Sequence, residues 1–381
     1  MMKKIIAAGH ICLDITPVVP EGHRGKRLEE ILKPGKLLNV GPADVHTGGS
    51  AANTGLALKL LGEDVTLMGK VGDDAFGSII RELLAKRGVS GLLTDPTEVT
   101  SYSVVLALPG VDRIFLHNPG ANDSFSNADI PDAALEEAVL FHFGYPPLMK
   151  RMYSDGGREL AAIFRRMKES GITTSLDLAA VDPASEAGKA DWREILSRVL
   201  PYTDFFLPSF EELCFMLDRP KYERLRAEGG EIIERLDLRR DVKPLADAAL
   251  EMGCRAVLVK CGTSGMYYRT GDRAAMEKLG KRTGLDAGLW SSREGIQTCF
   301  AAENVLSATG AGDASIAAFL SAALHGYGPG DCAAFAAAEG ACAVTAYDAL
   351  SGLLPLGELE RKIKAGWPTR KEERTETCWS T

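Results

Sequence analysis

Short apolar runs and longer amphipathic stretches alternate along most of the chain. The runs Ile5–Ala8, Val65–Met68, Leu140–Phe143, Thr174–Leu178, Phe205–Leu207 and Ala256–Val259 are almost unbroken by charge, as in strands covered on both faces. Between them, Ala51–Leu61, Gly77–Lys86, Gly157–Ser170, Trp192–Leu200 and Pro244–Met252 have helical patterning. Strand–helix alternation of this kind predicts a mainly parallel sheet with helices packed on it. Two Ala-rich stretches, Ala314–His325 and Asp331–Thr345, predict closely packed helices that complete the core.

Several segments depart from this rhythm. Ser101–Leu108 and Ile114–His117 flank Pro109–Arg113, which predicts a hairpin. With the segments near residues 12–20 and 36–47 it is expected to form a small antiparallel layer over one end of the main sheet. Arg219–Lys243, dense in alternating charge, predicts a solvated helical insertion. Lys278–Glu303 has little periodicity and predicts a long surface excursion. The expected organisation is one domain over about residues 1–366, with lid segments at about 12–47 and 97–125. Insertions are expected at about 219–243 and 278–303, and a loosely ordered tail at 367–381.

Composition narrows the function classes. The 381 residues carry 44 Lys and Arg against 52 Asp and Glu, a formal net charge of −8. That balance argues against a nucleic-acid binder, which would present a basic face. No apolar run reaches the roughly 20 residues a membrane helix needs. The opening MMKKIIAAGHICLDI lacks a long apolar h-region and reads as a first strand rather than a signal peptide. The 8 cysteines are scattered without a CxxC pair, which fits neither a zinc site nor a disulfide framework. A reducing cytoplasm is the expected compartment. Asn122-Asp123-Ser124 matches a glycosylation sequon formally, but without secretion it is read as coincidence.

Two glycine motifs carry the candidate chemistry. Ser307-Ala-Thr-Gly310-Ala311-Gly312-Asp313 precedes an apolar helix, so unpaired N–H groups and the positive end of the helix dipole face a tight loop. An anion suits that place, and Asp313 in the first turn could accept a proton from a nearby hydroxyl. The competing account is a turn with Asp313 as helix cap. The second motif, His46-Thr-Gly48-Gly49-Ser50-Ala-Ala-Asn53, opens another helix. Its glycines permit close approach of a ligand, and Asn53 supplies a donor and an acceptor; a Gly turn capped by Ser50 is the alternative. Neither a Walker A sequence nor the dinucleotide fingerprint is present, which disfavours P-loop ATPases and nicotinamide dehydrogenases. No HExxH occurs, so a catalytic zinc is not expected.

Taken in order, these segments resemble the ribokinase-like (PfkB-type) carbohydrate kinase family. The resemblance runs from about Gly9 to Gly352. It rests on Gly9 with Asp14, GGSAANTGLALKLLGEDVTLMGKVGDDAFG, HNPGAND, DFFLPSFEEL, VLVKCGTSGMYY and TGAGDASIAAFLSAAL. It implies an α/β fold, a three-layer αβα sandwich with a mostly parallel sheet and a small β lid. It also implies transfer of the ATP γ-phosphoryl group to a hydroxyl of a sugar or sugar-like acceptor. By matching position Asp313 is the general base, and the N–H groups of Gly310, Ala311 and Gly312 form the anion hole. Asp14, Gly48, Gly49, Asn53 and Asn122 match acceptor-binding positions, while Lys260, Gly262, Gly265, Ala338 and Cys342 match the nucleotide site. Glu212 matches an acid that organises Mg2+ through water. His117, Asn118 and Phe125 are further candidates to face the sugar, and Phe115 either faces it or fills the lid core.

The departures matter. Ser209 stands where the family's NxxE motif has Asn, and Ser307 stands where an Asp commonly helps to hold a monovalent cation. Potassium activation is therefore not implied. After Asp177 the chain runs LAAVDP, without the basic pattern of sugar-phosphate kinases. Nucleoside kinase activity, or a catalytically weak sugar- or nucleotide-binding regulator on the same fold, remain the alternatives. A homodimer through an exposed lid edge is also expected.

Overall fold

Each apolar run becomes a strand, in a computed structural model that describes residues 3–20, 22, 27–108 and 114–370. In chain order the strands are β1 (Lys4–Gly9), β2 (Cys12–Pro17), β3 (Ala43–Gly48), β4 (Asp64–Met68), β5 (Lys70–Gly72), β6 (Leu93–Asp95) and β7 (Tyr102–Leu106). They continue as β8 (Ile114–Asn118), β9 (Ala138–Gly144), β10 (Thr173–Leu176), β11 (Phe205–Phe206), β12 (Ala256–Lys260), β13 (Met266–Thr270) and β14 (Glu294–Gln297). The main sheet has the order β14-β13-β12-β11-β10-β9-β1-β4. It is parallel from β4 to β12, and β13 and β14 extend it antiparallel.

Helices cover both faces, which is why the strands lack polar alternation. Ile5 and Ala7 of β1 pack toward helices Ser50–Leu60, Ala311–Leu324 and Pro329–Ala343. Ile6 and Ala8 pack the other way, toward Arg158–Glu169, Trp192–Val199 and Lys243–Glu251. Helix Ala311–Leu324 is buried on all sides from Asp313 to Leu324, so its small residues let three helices close on it.

The lid sheet has the order β3-β2-β7-β8. The expected hairpin strands pair antiparallel as β7 and β8, and β2 pairs antiparallel with β3. The layer is nonetheless mixed, because β2 and β7 run parallel. The expected turn Pro109–Arg113 lies outside the described residues.

Three segments differ from expectation. Lys278–Glu303 is not a surface excursion: it supplies the edge strand β14, and Trp290 is fully buried against Phe205 and Phe319. One large side chain buried in this way contributes roughly 1.5–3 kcal/mol, enough to seat an aperiodic segment. In Arg219–Lys243 the helix Arg219–Ala227 buries only Tyr222, but Ile232, Leu236 and Val242 downstream are buried. Of the expected tail, residues 367–370 are packed: Trp367 stacks on Phe300 at 5.0 Å and donates to the Ala301 carbonyl. The chain beyond Arg370 lies outside the described residues.

Candidate active site

Five parallel strands end at one edge of the sheet, and residues at or just past their ends converge there. His10 follows β1, Tyr145 follows β9, Asp177 follows β10, Ser209 lies three residues past β11, and Lys260 closes β12. The crevice outside the carboxyl ends of parallel strands is the usual ligand site of open α/β sheets.

Helix Ala311–Leu324 brings its N-terminus to the same edge. Its cap, Gly310, sits at φ 73°, and a Cβ there would collide with Ala349, so glycine is required both by conformation and by space. At Gly312 the nearest atoms to a hypothetical side chain are Cε and Nζ of Lys260, at 3.8 Å. An ammonium group therefore stands beside the positive end of a helix, which suits a polyanion that meets both. The Ala311 N–H makes only a long 3.3 Å bond to the Ala308 carbonyl.

Asp313 is buried and accepts three hydrogen bonds: Asn53 Nδ2 at 3.0 Å and Tyr145 OH at 2.8 Å on Oδ2, and Thr54 Oγ1 at 3.3 Å on Oδ1. Burial raises its carboxyl above the ordinary range, although Asn53, Tyr145, Lys260 and Thr54 all pull it down. Lys260 Nζ donates to Asp177 Oδ1 at 2.8 Å. Burial works against the Lys260 charge, but Asp177, Glu212 and Asp313 outweigh it and the group titrates above an ordinary lysine. Burial pushes Asp177 up despite the pull of Lys260. The Tyr145 phenol is likewise raised well above its usual value by burial and by the Asp313 and Asp177 charges, so it stays a donor.

From Asp313 and Tyr145 a cleft of 770 Å³ runs past Lys260, lined also by Gly262, Gly265, Phe300, Ala301, Ala337, Gly340, Ala341 and Val344. Ala338 and Cys342, expected near the nucleotide, do not line it. Both are buried in the hydrophobic core, and helical phase turns their neighbours Ala337 and Ala341 to the cleft instead. Glu212 and Ser209 do line it, locked in a reciprocal cap: Ser209 N donates to Glu212 Oε2 at 2.7 Å and Glu212 N to Ser209 Oγ at 3.2 Å. Ser209 thus serves as the helix cap. No group of three or more His, Cys, Asp or Glu able to hold a metal occurs among the described residues.

On the lid side, Asp14 pairs in register with His46 and its carboxylate lies over Gly48, where a Cβ would overlap it. Gly49, at φ 87°, backs onto the His10 carbonyl just before the helix that carries Asn53. Asn122 does not face an open site. It is buried, and its amide is taken up by the Ile11 N–H and the Ile11 and Pro119 carbonyls, tying the lid to the end of β1. Phe125 is buried near Phe143 and so does not face a ligand; the half-buried Asn118 accepts the Gly120 N–H on its amide oxygen, and Phe115 is exposed. His117, exposed on β8, contacts the end of β1 and the neighbouring strand β7. Its Nε2 lies 3.3 Å from His10 Nε2 and its Nδ1 3.0 Å from Ser103 Oγ. Burial, with His117 alongside, pushes His10 down to about 3, so it is neutral at physiological pH.

Motif reading missed Tyr145, Asp177 and His10. Each follows a strand as a single residue; His10 and Tyr145 come directly after Gly9 and Gly144, where the two strand ends approach too closely for a side chain, and that glycine was the available signal.

The fold agrees with the comparisons. A family model described as pfkB family carbohydrate kinase matches residues 2–355, and the chain belongs to that family. A fructokinase-2 of rice (Oryza sativa subsp. japonica) is 28% identical over 180 residues, which are 44% of this chain and 50% of that protein. The chain thus spans about half the length of that curated relative. An uncharacterized sugar kinase of Archaeoglobus fulgidus is 25% identical over 299 residues, covering 78% of this chain and 98% of its own. The structure of a Xylella fastidiosa fructokinase with bound ATP superposes with a TM-score of 0.69 at 20% identity, covering 96% of this chain and 99% of that one. The fold is ribokinase-like.

Proposed function

We propose that the protein transfers the γ-phosphoryl group of ATP to a hydroxyl of a sugar or closely related polyol. One observation carries this reading: a buried carboxylate, Asp313, at a helix N-terminus whose glycine turn and the adjacent Lys260 ammonium line one end of a nucleotide-sized cleft. The acceptor oxygen attacks the γ-phosphorus, its proton passes to Asp313, and the β,γ-bridging bond breaks with its electrons on ADP. General-base help of this kind contributes about 10²–10⁴-fold. The N–H groups of Gly310, Ala311 and Gly312, with Lys260, stabilise charge on the phosphoryl oxygens. Gly262 and Gly265 let the nucleotide approach the backbone. Asp14, Gly48, Gly49 and Asn53 hold the acceptor, and Asn122 positions the lid beside it.

The acids at the site fit a magnesium ion brought by the nucleotide better than a resident one. Glu212 already accepts a backbone bond and Asp177 a lysine, leaving each with only part of its capacity for a metal-bound water. Bound there, magnesium would neutralise phosphate charge and orient the leaving group.

The test is coupled ADP detection over a panel of hexoses, pentoses and nucleosides, with and without potassium. Acceptor-driven ADP release with a sugar supports the reading. Release with nucleosides alone would make it a nucleoside kinase, and silence across the panel together with sugar-induced thermal stabilisation would make it a binding protein. We also propose a homodimer through the lid, whose strand β8 exposes Phe115 and Leu116; sedimentation decides it. A reducing cytoplasm suits the seven free thiols among the described residues, and no described helix is long and apolar enough to cross a membrane.

A further inference from the structure

Of the three donors on Asp313, two come from the helix opened by the His46–Asn53 glycine motif and one does not. Asn53 and Thr54 belong to helix Ser50–Leu60, whereas Tyr145 reaches the carboxylate from the turn after β9. That turn holds Tyr145 at φ 61° and ψ 41°, the left-handed region that a residue with a Cβ rarely adopts. The buried Pro146 and Pro147 follow, and the Leu148 N–H closes the turn on the Tyr145 carbonyl at 3.0 Å. A strained backbone that delivers one hydroxyl to the buried carboxylate points to a role at that carboxylate.

The arithmetic of lone pairs defines the role. Oδ2 already accepts from Asn53 and Tyr145, and Oδ1 from Thr54. Asn53 and Thr54 are fixed to one helix, while the Tyr145 ring is partly open to the cleft. A phenol and a sugar alcohol are the same kind of donor, so the acceptor hydroxyl can replace Tyr145 without leaving the carboxylate unsatisfied. Other groups around the pair are Lys260, Asp177 and Glu212 toward the cleft, and the neutral His10 ring 6.3 Å from that of Tyr145.

We propose that Tyr145 is a placeholder: while no acceptor is bound, its hydroxyl holds the position on Asp313 that the acceptor hydroxyl takes, and so denies that position to water. This rests on the reading of Asp313 as the base. The reaction it suppresses is hydrolysis, in which the water oxygen bonds to the γ-phosphorus. The water's proton would go to Asp313, the β,γ-bridging bond would break, and ADP would leave with the electron pair. Tyr145 is on this view a positioning residue that sets which nucleophile reaches the base.

The test measures ADP release by the full chain from magnesium–ATP alone and with the best sugar of the panel. It compares wild type, Tyr145→Phe, Tyr145→Gly and the double variant Tyr145→Phe/Asp313→Asn. Glycine tolerates the left-handed backbone, so that variant keeps the test sound if phenylalanine folds poorly. The ratio of acceptor-free to acceptor-driven release should rise about tenfold in both single variants, the scale of one hydrogen bond to a charged group. The acceptor-free release should vanish in the double variant. An unchanged or lower ratio in a folded Tyr145→Phe would overturn the proposal, as would a rise confined to Tyr145→Gly or one that survives Asp313→Asn. If no acceptor drives ADP release in wild type, the kinase reading fails. The acceptor-free rates of wild type and Tyr145→Phe still decide the placeholder: a rise that depends on Asp313 supports it, and no rise overturns it.

Discussion

Asp313→Asn removes a proton acceptor and little else. The side chain is 3% exposed and meets donors from Asn53, Thr54 and Tyr145. An amide of the same shape keeps a carbonyl for Asn53 and Tyr145. Its NH2 then faces the Thr54 hydroxyl, which can rotate to accept. The hydrogen-bond cost is therefore about 1 kcal/mol, and it is opposed by no longer burying a charge. Chemistry loses far more, because the acceptor proton has nowhere to go. Turnover should fall by about 10²–10⁴-fold while nucleotide affinity changes by less than about threefold. The assay is coupled ADP release at saturating ATP and acceptor, with calorimetric binding of a non-hydrolysable ATP analogue and a melting curve for each protein. Turnover within about tenfold of wild type in a folded variant would refute the general-base argument. So would a loss of nucleotide affinity in proportion to the loss of turnover, because the residue would then act through binding.

Because burial raises the Asp313 carboxyl and the base must be ionised, activity should disappear as pH falls through that raised value. A kcat/KM profile with its acid limb at or below the ordinary carboxylate pKa of about 4 contradicts this. Lys260→Met should raise the ATP KM more than about tenfold and lower the melting temperature, since Asp177 is left buried without its cation. Adding Asp177→Asn should recover the melting temperature but not the KM, and recovery of both would place Lys260 outside nucleotide binding. Trp367→Ala should raise the ATP KM by roughly two- to fivefold with the acceptor KM unchanged, because Trp367 stacks behind Phe300 on the cleft wall. Equal changes in both KM values would mean general unfolding.

The sheet was readable from the chain because strands covered on both faces leave unbroken apolar runs, and Ile5–Ala8 or Ala256–Val259 cannot be mistaken for an exposed face. The edge extension was not. Glu294–Gln297 has exposed and half-buried positions and no apolar run, and the burial of Trp290 depends on Phe205 and Phe319, which lie far away in sequence. At the site, Asp313 and Lys260 stand beside glycine patterns that announce a tight loop. Ala338 and Cys342 show the limit of positional matching. On a helix, a shift of one residue turns a side chain through about 100°, from cleft to core.

Local chemistry, then, was determined by the sequence alone: where the backbone turns tightly, which helix start can meet an anion, which carboxylate lies in its first turn. Those properties depend on neighbours within a few residues, and any compact fold must respect them. Convergence was decided only by the tertiary structure. Tyr145 and Asp313 are 168 residues apart, and Asp177 and Lys260 are 83 apart. No local pattern relates either pair: Asp177 and Lys260 meet because parallel strands end at the same edge of the sheet, and Asp313 meets Tyr145 because helix Ala311–Leu324 starts at that edge. The same geometry turned Asn122 from an expected sugar ligand into a clamp on the lid, since its partners at Ile11 and Pro119 come together only when the lid sheet forms.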